Sequence, residues 1–314
     1  MALDIVFFGT PAFAVASLEA LLASGQRVRA VVTQPEKPAG RGRVPRASAV
    51  SEVAARAGLP VLTPTKLRDG NFARELAAIA PELAIVVAYG RILPADVLAV
   101  PRLGFLNVHA SLLPRYRGAA PIAYSLLAGD AVTGVSLMRL AEGMDEGPVL
   151  ASRELPIGPD DDCGSLTERL ARVGAELLVE NLAAVESGRA RFVPQDPALA
   201  TYARLITRDD ARLDWTRPAA ELENRVRAMS PSPGAFTATP GGVLKIYKAR
   251  AEPVSAEAGA TPPGMLIDAS GEGPRVVCGE GALRLLEVQR EGGRRQCGDE
   301  FLRGARITAG ERWG

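Results

Sequence analysis

Through the first two thirds of the chain, short apolar runs alternate with segments whose apolar residues recur at helical spacing. The runs Asp4 to Phe8, Val28 to Thr33, Leu83 to Ala88, Phe105 to His109 and Gly134 to Leu140 predict strands. Between them, Pro11 to Ala23, Ser48 to Ala57, Phe72 to Ile79 and Pro121 to Ala128 predict helices, with Pro or Ser near their starts and Gly near several ends. This alternation is that of βαβ units, so the expected fold class is α/β with a doubly wound, mostly parallel sheet. A longer amphipathic segment, Leu166 to Glu186, has Ser165 as its expected N-cap and Glu168 three residues on. It ends before Gly188 and closes a first domain of residues 1–188.

Residues 189–206 lose periodicity and read as a linker. A second domain, 207–314, begins with a helical pattern at Ala219 to Met229. Pro231, Pro233, Pro240 and the pair Gly241-Gly242 then punctuate short runs at Val243 to Tyr247, Arg275 to Cys278 and Leu283 to Val288. Short strands broken by glycine and proline predict a small β-barrel or sandwich.

Composition narrows the class. The chain has 314 residues, 47% hydrophobic and 23% charged, which excludes a disordered or fibrous protein and allows two ordinary domains. The longest apolar stretch, Leu83 to Tyr89, is far shorter than the roughly 18 residues of a membrane span. The N-terminus carries Asp4 where a signal peptide wants bases, so a cytoplasmic protein is expected. A net charge of +1 gives no overall bias toward polyanions, and any such partner must be gripped by local patches. Cys163, Cys278 and Cys297 match neither a disulfide framework nor zinc-ligand spacing. With His109 as the only histidine, no metal is expected, and any step that needs imidazole depends on that residue.

The common signatures are missing. The sequence has no G-x-x-x-x-G-K-[ST], no G-x-G-x-x-G after the first strand and no G-x-S-x-G, so ATPase, dehydrogenase and α/β-hydrolase readings lose their main support. The informative stretch is Asn107-Val-His-Ala-Ser-Leu-Leu-Pro-Arg-Tyr-Arg-Gly-Ala-Ala-Pro121. Asn107 and His109 alternate along a strand and so share a face, at the carboxyl end that lines the crevice of an open parallel sheet. A capping asparagine and a buried structural histidine are the plainer alternative. Gly143-Met-Asp-Glu-Gly147 is a turn expected to bring Asp145 over a strand end. An amide, an imidazole and a carboxylate suit direct attack of an amine on a carbonyl: the carboxylate orders a proton acceptor while imidazole and amide steady the oxyanion. Ser111 lacks a strained elbow, so a covalent serine is the weaker reading.

These residues resemble a known family, the folate-dependent formyltransferases. Its N-x-H is matched by Asn107 and His109, its S-L-L-P by Ser111-Leu-Leu-Pro114, and its later aspartate by Asp145. Arg117-Gly-Ala-Ala-Pro-Ile122 and Thr33-Gln-Pro-Glu-Lys-Pro-Ala-Gly-Arg-Gly42 narrow the likeness to the branch that acts on methionyl-tRNA. The resemblance covers the whole chain, more strongly in the first domain. It implies 10-formyltetrahydrofolate as formyl donor and the α-amino group of methionyl-initiator tRNA as acceptor. It implies a catalytic set of Asn107, His109 and Asp145, with folate held by Ser111, Leu112, Leu113 and Pro114 and walled by Val87, Ala88, Tyr89 and Gly90. A monomer with an OB-like second domain is implied too.

The loop Gln34 to Arg46 carries Lys37, Arg41, Arg43 and Arg46 against Glu36, and basic groups there suit phosphates of an acceptor stem. In the second domain Lys245, Lys248 and Arg250 lie near one another on a strand, and Arg290, Arg294 and Arg295 in a glycine-containing loop. Ser230-Pro-Ser-Pro-Gly-Ala235 departs from the family in lacking an aromatic between the prolines. A formyltransferase acting on glycinamide ribonucleotide or an amino-sugar nucleotide is the nearest rival. A folate- or RNA-binding protein without turnover is a second.

Overall fold

The computed structural model describes residues 2–39, 44–254, 261–305 and 307–314. In chain order its elements are β1 (Asp4–Gly9), α1 (Val15–Ala23), β2 (Arg27–Val32), β3 (Lys37–Ala39), β4 (Val44–Arg46), α2 (Ala49–Arg56), β5 (Val61–Leu62), α3 (Asn71–Ile79), β6 (Leu83–Val87), α4 (Ala95–Leu98), β7 (Phe105–His109) and β8 (Arg117–Gly118). There follow α5 (Pro121–Leu127), β9 (Val132–Arg139), β10 (Val149–Pro156), α6 (Cys163–Glu186), β11 (Tyr202–Ala203), α7 (Ala219–Met229), β12 (Ala235–Thr239) and β13 (Gly242–Glu252). The last are β14 (Leu266–Asp268), β15 (Arg275–Val277), β16 (Ala282–Arg290), β17 (Arg295–Cys297) and α8 (Gly298–Gly304).

The main sheet has the order β10-β9-β7-β6-β1-β2-β5. From β1 the chain steps outward on both sides, and β5, β2, β1, β6 and β7 run parallel. Every residue of β6 is buried, as expected of a strand covered on both faces. β9 runs antiparallel to β7, and β10 antiparallel to β9. β10 leaves no long apolar run in the sequence because its exposed positions, among them Ser152 and Glu154, alternate with half-buried ones, the pattern of an edge strand.

Phe8 anchors the core beside β1. It packs on Phe72, Tyr89 and Phe105 with ring centroids 6.2, 5.5 and 5.4 Å away, so β1, α3, the end of β6 and β7 are tied at one point. Ser48 caps α2 by accepting from Ser51 N at 3.0 Å. The cap of α6 differs from the expected Ser165: the helix starts at Cys163, and Asp162 and Ser165 exchange hydrogen bonds, Ser165 N to Asp162 Oδ1 and Asp162 N to Ser165 Oγ.

Two compact units do not follow chain order. One comprises Met1–Pro121, Val132–Pro156 and Thr167–Arg204, the other Ile122–Ala131, Ile157–Leu166 and Leu205–Gly314. Within the second, Arg227 donates to the carbonyls of Gly158 and Asp161, both at 2.7 Å, which explains why a segment before residue 188 groups there. The stretch 189–206 is structured: Val193 bridges Val149, and β11 pairs with β8. Where a basic loop is expected, β3 and β4 form an antiparallel hairpin with Lys37 opposite Arg46, while Arg41 and Arg43 lie outside the described residues. The second unit holds a mostly antiparallel sheet, order β12-β13-β16-β15-β14, with β17 on β16. Among the described residues no helix is long and apolar enough to cross a membrane.

Candidate active site

Asn107 and His109 occupy alternate positions of β7, so both side chains leave one face, and both residues are buried. Because β9 is antiparallel, Leu106 lies opposite Arg139 and His109 opposite Ser136. The loop after β9 therefore starts beside the beginning of β7, not beyond its end, and must fold back along the strand. That differs from an aspartate perched over a carboxyl end. It still delivers the carboxylate: Asp145 Oδ1 lies 3.5 Å from Asn107 Nδ2, and Asp145 Oδ2 lies 3.7 Å from His109 Nδ1. Asp145 has φ +49°, a left-handed conformation that aspartate tolerates better than most residues.

A short strap touches two members of this set, His109 and Asp145. The Tyr116 carbonyl is 3.0 Å from His109 Nε2, and the Gly118 N–H donates to Asp145 Oδ2 at 2.9 Å. Gly118 has φ +113°, and a Cβ there would fall 2.7 Å from the Ala203 carbonyl, so β8 and β11 approach too closely for a side chain. A carbonyl can only accept, so Nε2 carries the ring proton and Nδ1 faces the carboxylate.

The expected folate segments start side by side, because β6 and β7 are parallel neighbours with Val86 opposite Asn107. Ala88 and Gly90 are exposed and take positive φ, whereas Val87 and Tyr89 turn their side chains into the core. Burial pushes the Tyr89 phenol above its ordinary range, an effect the nearby Arg91 guanidinium partly offsets. The Tyr89 carbonyl accepts from Gln34 Nε2 at 2.8 Å. Leu112, Leu113 and Pro114 are half-buried, and Ser111 is fully buried, its hydroxyl donating to the Arg115 carbonyl at 2.6 Å.

Ser136 pins this segment, donating to the Ser111 carbonyl at 2.8 Å and accepting from Leu113 N at 3.0 Å. Sequence reasoning missed Ser136, and its only signal was a serine inside an apolar strand. It also missed Gln195, which lay in the supposed linker. Among the described residues no group of three or more His, Cys, Asp or Glu is placed to hold a metal ion.

In the second unit Lys245 and Lys248 are both exposed despite odd spacing, because the register of β13 against β16 shifts between Ile246 and Lys248. Lys245 Nζ donates to the Pro233 carbonyl and Lys248 Nζ to Asp160 Oδ1. Arg250 pairs with Glu252 and Glu272, Arg294 with Glu300, and Arg295 lies 3.4 Å from the centre of the Tyr247 ring. Arg290 lies over Phe301 at 4.9 Å.

Residues 3–182 match the family profile described as formyl transferase, and residues 205–306 the one described as formyl transferase, C-terminal domain. A methionyl-tRNA formyltransferase of Roseiflexus sp. (strain RS-1) is 49% identical over 315 residues, covering 100% of this chain and 96% of its own. One of the same name from Myxococcus xanthus (strain DK1622) is 49% identical over 306 residues, covering 98% of this chain and 96% of its own. Among solved structures, HypX from Aquifex aeolicus in complex with tetrahydrofolic acid has a TM-score of 0.66 at 18% identity, covering 96% of this chain and 47% of that one. An N-formyltransferase from Helicobacter canadensis, in complex with folinic acid and dTDP-3-aminofucose, has a TM-score of 0.64 at 18% identity over 90% of this chain and 99% of that one. Those two likenesses concern the fold. Since the N-terminal profile spans more than half of the sequence, and near-half identity to such relatives runs almost end to end, the chain belongs to the formyl transferase family.

Proposed function

We propose that this chain transfers the formyl group of 10-formyltetrahydrofolate to the α-amino group of methionine esterified to initiator tRNA. The observation that carries the chemistry is the Asp145 carboxylate held within 3.5 Å of Asn107 Nδ2 and 3.7 Å of His109 Nδ1. The attacking amine nitrogen forms a bond to the formyl carbon, and the proton it sheds goes to the Asp145–His109 pair. Asn107 Nδ2–H donates to the formyl oxygen as it gains charge. An oxyanion role for His109 competes with its bond to Tyr116, so its part here is proton acceptance. Collapse of the tetrahedral intermediate breaks the bond between the formyl carbon and N10 of the folate, which leaves with a proton. Ser111 takes no covalent part, because its buried hydroxyl is committed to Arg115.

We assign the donor to the neighbouring segments Ala88–Gly90 and Ser111–Pro114, where exposed backbone meets half-buried apolar side chains. Lys37, Arg41, Arg43 and Arg46 of the basic 34–46 stretch, with Lys245 and Lys248, are the groups we assign to tRNA phosphate. Glycinamide ribonucleotide and amino-sugar nucleotides share the catalytic demand. Relatives named for methionyl-tRNA, half identical along the chain, favour the tRNA acceptor.

The test supplies the purified chain with 10-formyltetrahydrofolate and, separately, charged initiator tRNA, charged elongator tRNA and an amino-sugar nucleotide. Formyl-methionine on initiator tRNA alone is expected. Formylation of the small amine with the tRNAs untouched overturns the acceptor.

A further inference from the structure

Behind the Asp145 loop lies a buried guanidinium aimed at a neutral amide. Arg117, 6% exposed, directs Nε and Nη2 to Oε1 of Gln195 at 3.0 and 2.8 Å. Nε2 of the same amide donates to the main-chain carbonyls of Asp145 and Gly147 at 2.8 and 2.7 Å. Each polar atom of the Gln195 side chain is thereby engaged twice. The reversed amide would set N–H against guanidinium N–H and oxygen against two carbonyls, so the network fixes its orientation.

We infer that Arg117 and Gln195 form a clamp that positions Asp145 without touching the reacting atoms, an inference that rests on the proton-accepting role proposed for Asp145. The loop needs such support. Asp145 has a left-handed main chain, and its neighbours Met144 and Glu146 are exposed, so little packing holds the turn. Arg117 and Gly118 are adjacent in β8, so one strand holds the aspartate twice: Gly118 N takes the carboxylate, and Arg117 takes the main chain through Gln195. β8 is itself held by the stretch that supplies Gln195, with Arg117 N donating to the Thr201 carbonyl and Ala119 N to the Ala203 carbonyl, both at 2.8 Å. The apparent linker is a structural part of the site.

Gln195→Glu keeps acceptors for Arg117 and replaces the two N–H donors by oxygen. Steady-state kinetics with 10-formyltetrahydrofolate and charged initiator tRNA should show kcat lowered roughly tenfold to a hundredfold, as small misplacements of a catalytic group do. KM for each substrate should stay within about twofold, because no binding contact is removed. In an Asp145→Asn background the same substitution should cost less than about twofold, since a clamp has nothing left to position. Arg117→Lys, which keeps the charge and loses the two-pronged donor, should show the same coupling and serves if the Glu variant fails to fold. If Asp145→Asn is inactive while Gln195→Glu turns over normally, or if the two losses multiply, the clamp is overturned and the catalytic reading stands. If Asp145→Asn turns over normally, the catalytic reading falls and takes the clamp with it.

Discussion

Nδ1 of His109 lies 3.7 Å from Oδ2 of Asp145, while Nε2 of the same ring is 3.0 Å from the Tyr116 carbonyl. With Nε2 protonated, a neutral ring presents its Nδ1 lone pair to the carboxylate, and a proton arriving at Nδ1 faces one acceptor, Asp145 Oδ2.

Asp145→Asn removes the charged acceptor and keeps the shape, and His109→Ala removes the ring. Each should lower kcat by at least about a hundredfold, the scale of lost general acid–base catalysis. Thermal melts should show both variants folded. Near-normal turnover in either, measured with charged initiator tRNA, rejects the assignment.

Gly118→Ala strikes the same carboxylate from the main chain. The added methyl meets the Ala203 carbonyl at 2.7 Å, at a φ of +113° that side chains disfavour. Relief requires β8 to move, taking the Asp145 donor with it. A loss of roughly 1–3 kcal/mol in stability is expected from the backbone strain, together with a fall in kcat. An unchanged melt and unchanged kcat would show the strap to be dispensable.

Arg41→Ala tests the basic 34–46 stretch. It should raise KM for tRNA more than KM for the folate donor and flatten the salt dependence of tRNA binding. Equal effects on both substrates count against a tRNA contact there.

The strands of the site were legible because parallel strands buried on both faces read as unbroken apolar runs, as β6 does with all five residues buried. Asn107 and His109 could be paired from the alternation of β7 alone. Asp145 could be nominated from its flanking glycines, but its approach could not be derived, since nothing local announces that β9 runs against β7. Gln195 and Ser136 stayed hidden for another reason. Ser136 works on a main-chain carbonyl and amide, and Gln195 on two main-chain carbonyls and a guanidinium remote in sequence, none of which leaves a mark on residue pattern.

Burial pushes the Cys278 thiol up to about 12, whereas Cys297 is exposed. At neutral pH an alkylating reagent should modify Cys297 in the folded chain and reach Cys278 only after unfolding. Peptide mapping of the labelled protein reads this directly, and equal rates at both sites would mean that β15 and β16 do not bury that thiol.

Glu252 gives the second unit an acid-sensitive joint. Its carboxylate takes Arg284 Nε at 2.8 Å, with Arg250 Nη2 at 3.2 Å and Arg275 Nε at 3.1 Å. The hydrogen bond from Arg284 outweighs desolvation and holds the carboxyl below its usual range. A carboxyl lowered in the folded state contributes stability that is fully present above the unfolded value, about 4.3 for glutamate, and is lost as pH falls through the lower folded value. The melting temperature of the chain should therefore drop between pH 5 and the acid limit. Glu252→Gln, which removes the nearer of the two carboxylates beside the Arg284 guanidinium and leaves Asp268 at 3.4 Å, should cost roughly 1.5–3 kcal/mol at neutral pH, the range for hydrogen bonds to charged groups. The variant should also lose less on acidification than the parent. Melting curves of parent and variant that fall in parallel from pH 7 to pH 3 would assign the acid sensitivity to other carboxylates.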